Sequence, residues 1–161
     1  TRCESCGIPV NRSEPIGSGE NGVMIIMNPP SLMSRNERKV FSADAENMKA
    51  NIIRKALGLN PEECYITSMV KCAEIPASVR YSDVFGYCAE ELREEIISVS
   101  PRIILVMGEL LPMKKLLGEF RAIPVFTIDH PLVMAKNPDM KNRAWATLKA
   151  MMDRMKELGI L

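Results

Sequence analysis

Short apolar runs alternate with longer amphipathic stretches along most of this chain. Four runs are rich in apolar and β-branched residues and have the length of strands: 23–27 (VMIIM), 64–70 (CYITSMV), 102–107 (RIILVM) and 123–128 (IPVFTI). None shows the strict alternation of a strand with one face in water. We therefore predict four strands that are covered on both faces of a sheet.

The stretches between these runs carry apolar residues at helical spacing. Helices are predicted over 44–59, 82–99, 109–118 and about 140–158, the first ending near Gly58 and the second with Ser82 as its N-cap. Their inward positions are Met48, Ile52, Ala56 and Leu59, then Phe85, Cys88, Leu92 and Ile96, and in the last helix Ala144, Leu148, Met151, Met152 and Met155. Strands that alternate with helices predict a three-layer α/β/α fold with a central four-stranded parallel sheet.

Composition is compatible with one domain over residues 1–161. The chain is 47% hydrophobic, and its net charge of +1 comes from 21 basic and 20 acidic residues. This balance excludes a strongly cationic nucleic-acid binder but not a local basic groove. No apolar run is long enough for a bilayer, so no membrane contact is expected. No secretory leader is recognisable, and we expect a cytoplasmic protein and a monomer.

Ligands of parallel sheets bind at the carboxyl ends of the strands. In this chain the predicted strands are followed by NPPS at 28–31, KCAE at 71–74, GE at 108–109 and DHP at 129–131. The only histidine, His130, therefore falls at the edge where a site is expected. A single histidine is often a packing or surface residue. The position of His130 at this edge makes a functional role as well supported as that interpretation.

The cysteines are spaced in a way that favours a metal site. Cys3 and Cys6 form a C-x-x-C pair, Cys72 follows the second strand, and Cys88 lies on the inner face of the next helix. Four thiolates of this kind suit either an iron–sulfur cluster or tetrahedral zinc, although scattered structural cysteines remain the alternative. Cys64, at the start of a strand, is expected to be a small core residue.

These motifs, in this order, resemble the uracil-DNA glycosylase superfamily, most closely its family 4 iron–sulfur enzymes. The resemblance rests on CESC at 3–6, ALGLNPEECYITSMVKC at 56–72, PRIILVMG at 101–108 and HPLVMAKNPDMKNRAW at 130–145. Cys88 also follows Cys72 at the family's step of 16 residues. The resemblance implies a [4Fe–4S] cluster, with zinc as the alternative, held by Cys3, Cys6, Cys72 and Cys88. The cluster would fasten the amino-terminal segment.

The same resemblance implies an active site that acts on DNA containing a damaged or deaminated base. His130 would hydrogen-bond the departing base as negative charge develops on it. Asn28 would position the attacking water, as an asparagine does in the mismatch-specific and single-strand-selective branches, and Phe41 would stack on the flipped base. Met27, Pro29 and Ser68 are the remaining expected substrate contacts. Expected phosphate contacts flank these loops: Arg35, Arg38, Lys39, Lys136, Lys141 and Arg143.

The chain departs from the family 4 pattern in two places: around the loop after the first strand, and at Ser68 in the predicted second strand. Ile26 stands in place of a glycine, Met27 in place of a glutamate and Pro30 in place of a second glycine. Ser68 replaces an asparagine that reads the edge of uracil. The expected function is hydrolysis of the N-glycosidic bond of a flipped uracil or other deaminated base. The alternative is a catalytically degenerate iron–sulfur module of the same fold that binds nucleic acid or a protein partner.

Overall fold

The computed structural model describes residues 14–28, 38–72, 81–108 and 111–161. Its four strands are β1 (Val23–Met27), β2 (Tyr65–Thr67), β3 (Ile103–Met107) and β4 (Val125–Ile128). They form one sheet in the order β2-β1-β3-β4, and every pair is parallel. The predicted four-stranded parallel sheet is therefore confirmed.

The helices connect and cover these strands. They are α1 (Arg38–Asn51), which continues into a π-helical segment (Ile52–Ala56), α2 (Tyr81–Val99), α3 (Leu111–Leu117), α4 (Pro131–Lys136) and α5 (Asp139–Glu157). Within the described ranges, no helix is long and apolar enough to cross a bilayer.

Each face of the sheet has its own apolar core. The side chains of Val23 and Ile25 in β1 pack with the π-helical segment, α4 and α5. Met24 and Ile26, which point the other way, pack with α2 and α3. Successive residues of a strand face opposite sides, so a continuous apolar strand serves both cores. The result is the predicted three-layer α/β/α fold.

Among the differences between the predicted and observed elements, four concern residues near the predicted site or a predicted cap. α1 begins six residues earlier than expected, which puts the backbone of Phe41 in a helix. α2 begins at Tyr81, so Ser82 lies inside the helix and is not its N-cap. β2 ends at Thr67, three residues early. α4 was not predicted; it begins because the His130 side chain accepts a hydrogen bond from its second residue and Pro131 has the φ of a first helical position.

A turn closes the outer edge of β2. Ile16 and Ile66 exchange two backbone hydrogen bonds, at 2.9 and 2.8 Å, in an isolated antiparallel bridge. Gly17 follows with φ of 91°, and a Cβ there would lie 1.9 Å from the carbonyl oxygen of Cys64. Only glycine fits at this close approach. The residues before β1 therefore cover the edge that β2 would otherwise leave open.

Candidate active site at the carboxyl ends of the strands

Asn28 and His130 meet at the carboxyl edge of the sheet, although 102 positions separate them in the chain. Asn28 follows β1, and His130 follows β4 after one intervening residue. The Nε2 atom of His130 lies 2.8 Å from the main-chain oxygen of Asn28, and both residues are 1% exposed. The imidazole thus contacts the main chain of Asn28 and not its side-chain amide.

The hydrogen bonds of His130 define which of its nitrogens carries the proton. The N–H of Leu132 donates to Nδ1 at 3.0 Å, so Nδ1 must be unprotonated. Nε2 then carries the proton and donates it to the carbonyl of Asn28. Burial lowers the pKa of His130 below its ordinary value of 6.5, and the hydrogen bond to Asn28 opposes that shift. At neutral pH the side chain is an uncharged donor.

The pH dependence of stability should report this histidine. Because its pKa is lower in the folded chain, the unfolded chain binds more protons as the pH falls below 6.5. The free energy of unfolding should fall as the pH drops below about 6.5, with a limiting slope of about 1.4 kcal/mol per pH unit. Urea unfolding at several pH values measures the slope. His130→Gln should flatten it, because no other histidine exists in the chain.

Gly108, at the end of β3, forms the floor under the imidazole. Its φ is 88°, and a Cβ there would lie 3.0 Å from both Cβ and Cδ2 of His130. A side chain at this position meets both a strained backbone conformation and a crowded neighbour.

Gly108→Ala is expected to lower the free energy of unfolding by about 1–3 kcal/mol. A matched control is Gly86→Ala in α2, where a Cβ meets nothing within 4 Å and where alanine favours the helix. Thermal unfolding of both variants tests the contrast. Equal melting temperatures for the two would contradict the role given to Gly108.

The side chain of Asn28 links the ends of three neighbouring strands. Its Oδ1 accepts from the N–H groups of Met69 and Val70, at 3.2 and 3.4 Å, and its Nδ2 donates to the carbonyl of Gly108 at 3.4 Å. These contacts also explain why β2 ends early: the backbone turns after Thr67 to present two N–H groups to one oxygen. Both lone pairs of Oδ1 are occupied in this arrangement.

A buried polar network lies behind the same turn. The ammonium of Lys71, 2% exposed, forms an ion pair with Glu95 of α2 and donates to the Thr67 hydroxyl at 2.6 Å. Glu95 also accepts from Thr67 at 2.7 Å and from the Tyr65 hydroxyl at 2.8 Å, which raises the pKa of Tyr65 together with burial, its largest cause. Sequence reasoning missed this network. The available signal was Glu95, seven residues after Cys88 and therefore on the inward stripe of α2.

The model of one protein family, described as the uracil DNA glycosylase superfamily, matches residues 15–149. The chain belongs to the uracil-DNA glycosylase superfamily. A curated protein described as a type-4 uracil-DNA glycosylase, from Saccharolobus solfataricus, is 26% identical over 163 residues. That alignment covers 87% of this chain and 76% of the relative. Superfamily membership supports a glycosylase-like function.

The side chains predicted to contact the substrate do not share one environment in this superfamily member. Met27 is 8% exposed and packs in the core beneath α4 and α5. The Ser68 hydroxyl donates to the carbonyl of Val70, so it is engaged with the backbone. The side chain of Phe41, and all of Pro29, lie outside the described residues.

A cleft of about 440 Å³ opens beside His130 in the candidate active site. Gly108 and Arg143 contribute to its walls. Arg143, expected to contact phosphate, forms an ion pair with Asp129. The Arg143 side chain is 67% exposed, so it also remains accessible to a DNA phosphate.

Two of the four predicted cluster ligands lie within the described residues. Cys72 and Cys88 are 2% and 3% exposed, and none of the described cysteines forms a disulfide. Cys3 and Cys6 lie outside the described residues, and in the described part no three ligand-type side chains come together. Cys88 lies on the same face of α2 as Glu95. Glu95 forms an ion pair with Lys71, which directly precedes Cys72 in the chain. Cysteines at these two positions supply the type of ligand that a thiolate-bound metal needs.

Cys64, predicted to be a core residue, lies in the core on the other face of the sheet from Met69. The Asn21 amide donates to its sulfur at 3.2 Å. Burial, the largest influence, raises the pKa of the Cys64 thiol. A thiol that stays protonated in an apolar core is a poor metal ligand.

Proposed function

We propose that this protein is a DNA glycosylase that hydrolyses the N-glycosidic bond of a flipped uracil or another deaminated base. The observation that carries the proposal is the neutral imidazole of His130, whose single proton, on Nε2, points at the end of β1. Membership in the uracil DNA glycosylase superfamily, over residues 15–149, supports the same reaction class.

A neutral donor suits the bond that must break. When the bond between C1′ and the base nitrogen is cleaved, the electron pair leaves with the base, and negative charge spreads to its carbonyl oxygen. His130 would transfer its Nε2 hydrogen bond from the Asn28 carbonyl to that oxygen. In a buried site this stabilises the developing anion without a full proton transfer.

The same exchange would provide an acceptor for water. Once Nε2 turns to the base, the main-chain carbonyl of Asn28 has lost its donor. It could then accept a hydrogen bond from the water that attacks C1′, while the second Nδ2 hydrogen of Asn28 provides a further contact. The water oxygen bonds to C1′ and its proton passes to solvent. In this proposal the backbone of Asn28 acts on the water, and its side chain holds the three strand ends in place.

The reaction is tested with duplex and single-stranded oligonucleotides that contain uracil, hypoxanthine or xanthine. An active protein should leave abasic sites that alkali converts to strand breaks, and His130→Ala should leave far fewer. The panel is needed because the Ser68 hydroxyl is used by the backbone and offers no paired donor and acceptor for uracil. Absence of product above the His130→Ala level on every substrate would reject catalysis.

A binding-only role is the second candidate. It is favoured by the side chains of Met27 and Ser68, which pack internally at positions where family 4 members are expected to read the base. This candidate predicts salt-dependent binding to DNA without cleavage. Filter binding at two ionic strengths, beside the cleavage assay, separates the two roles.

We propose that Cys3, Cys6, Cys72 and Cys88 hold a [4Fe–4S] cluster. Thiolates are the ligands this cluster uses, and the two described ligands are buried thiols. When bound, the cluster supplies iron–thiolate bonds that tie the amino-terminal segment to the end of β2 and to α2.

Metal analysis of anaerobically purified protein tests the ligand set. Iron and sulfide should be present in equal amounts, and Cys72→Ser or Cys88→Ser should lose most of both. Cys64→Ser, a buried cysteine with an asparagine partner, should retain them. Zinc without sulfide would replace the cluster with the zinc alternative, and iron retained in both ligand variants would refute the assignment.

A further inference from the structure

A second concave surface lies away from the strand ends, in the helical layer. It is a groove of about 770 Å³ between α1 with its π-helical segment, α4 and α5. We call it the α1/α5 groove; its lining residues are Asn47, Met48, Asn51, Ile52, Lys55, Ala56, Met134, Ala135, Lys141, Ala144, Trp145 and Leu148. Of these side chains, only Lys141 has a role assigned above, as an expected phosphate contact, and neither the proposed reaction nor the cluster uses the others.

The floor of the α1/α5 groove is apolar and its rim is basic. Ile52, Met134 and Leu148 are buried at its base. Lys55 and Lys141 are exposed at its rim, and none of the described residues that line it is acidic. The chain as a whole is nearly neutral, so this local excess of positive charge is not a property of its average surface.

Trp145 gives the groove an aromatic anchor. It is 44% exposed, and the ammonium of Lys149 lies 5.3 Å from the centre of its ring. A large exposed tryptophan beside an apolar depression is typical of the residues that dominate protein interfaces. Lys149 does not line the groove, but beside Trp145 it adds a third positive charge next to the rim.

We propose that the α1/α5 groove binds an amphipathic helix of a partner protein, with apolar residues in the groove and carboxylates against Lys55, Lys141 and Lys149. Helices bind apolar grooves in this way through residues spaced three and four apart. The charge of the rim selects an acidic partner. A nucleic acid fits less well, because the buried floor of Ile52, Met134 and Leu148 offers no polar group to base edges. Asn47 and Asn51 are the lining residues with side-chain amides.

The groove shares α4 with the candidate active site. Met134 and Ala135 line the groove, and His130 is the N-cap of the same short helix. A bound partner would therefore contact the helix that begins at the imidazole. The proposal does not depend on catalysis, since binding is measured directly.

The test is a selection from a display library of random peptides long enough for about four helical turns. Enriched peptides should be acidic and carry apolar residues at helical spacing. Their binding should change the fluorescence of Trp145, which is the only tryptophan in the chain. The double variant Lys55→Glu/Lys141→Glu should weaken binding by at least about tenfold, and added salt should weaken it as well.

A matched control is Lys114→Glu/Lys115→Glu in α3, two exposed lysines on the helical layer that covers the other face of the sheet. It should leave peptide binding unchanged. Three results would overturn the proposal: no enrichment, enriched peptides that bind both double variants equally, or a Trp145 that acrylamide fails to quench in the free protein. Self-association that Trp145→Ser abolishes would assign the groove to a second copy instead. Loss of single-stranded DNA binding in Lys55→Glu alone, a lysine with no expected phosphate contact, would assign it to nucleic acid.

Discussion

Replacing Glu95 with leucine is expected to lower the free energy of unfolding by about 3–5 kcal/mol. The reason is the surroundings of Lys71, whose side chain is 2% exposed and forms an ion pair with Glu95, which is 11% exposed. Without the carboxylate, the ammonium keeps only the Thr67 hydroxyl as a partner in the part of the chain that the structure describes. A buried charge that loses its counter-ion retains the cost of leaving water and loses the compensating attraction.

Two variants separate this effect from the loss of a glutamate as such. Glu94→Leu, one residue away on the exposed side of α2, should change stability by no more than about 0.5 kcal/mol. The double variant Lys71→Met/Glu95→Leu should recover most of the loss, because both charges are then absent. Urea unfolding of the four proteins gives the comparison. Equal costs for Glu95→Leu and Glu94→Leu would show that the ion pair contributes nothing.

His130→Ala is expected to reduce the rate of base excision by about 10²–10³-fold. This is the usual loss when one preorganised donor to a developing oxyanion is removed. The imidazole is buried and neutral, and the N–H of Leu132 orients it through Nδ1. Nε2 therefore already carries the proton that it donates, and no change of tautomer or charge is needed first. The measurement is the single-turnover rate on whichever oligonucleotide of the panel is cleaved.

The control for this variant must distinguish chemistry from folding, because His130 also caps α4. DNA affinity and melting temperature are therefore measured beside the rate. His130→Gln keeps an N–H donor near the same place and should lose less activity than His130→Ala. A fall in rate that matches a fall in the folded fraction would assign His130 a structural role only.

The pattern of apolar residues was enough to predict the sheet, because strands covered on both faces are distinctive. β1 was predicted with its observed bounds, and β3 to within one residue. The end of β2 was not predictable in this way. The end of β2 depends on Asn28, which is 41 residues away from Met69 in the chain. The N–H of Met69 donates to the Asn28 side chain, so the backbone leaves the strand before this residue.

The same distinction holds for the site. The positions of Asn28 and His130 after two strands were sufficient to predict that both lie at the carboxyl edge of the sheet. Their hydrogen bonds were not predictable, since a periodicity says nothing about which atoms of an amide are occupied. The network of Lys71 and Glu95 was missed because charged side chains are normally solvated, and only the tertiary contact shows that these two are buried together.

The turn that closes the outer edge of β2 has a consequence for how this protein is handled. Ile16 occupies hydrogen-bonding groups of Ile66 that would otherwise be free to pair with a strand of another molecule. A chain shortened to begin at β1 would expose those groups beside an apolar strand. Such a truncation would favour intermolecular strand addition and aggregation during expression, even though it removes no residue at the carboxyl edge of the sheet.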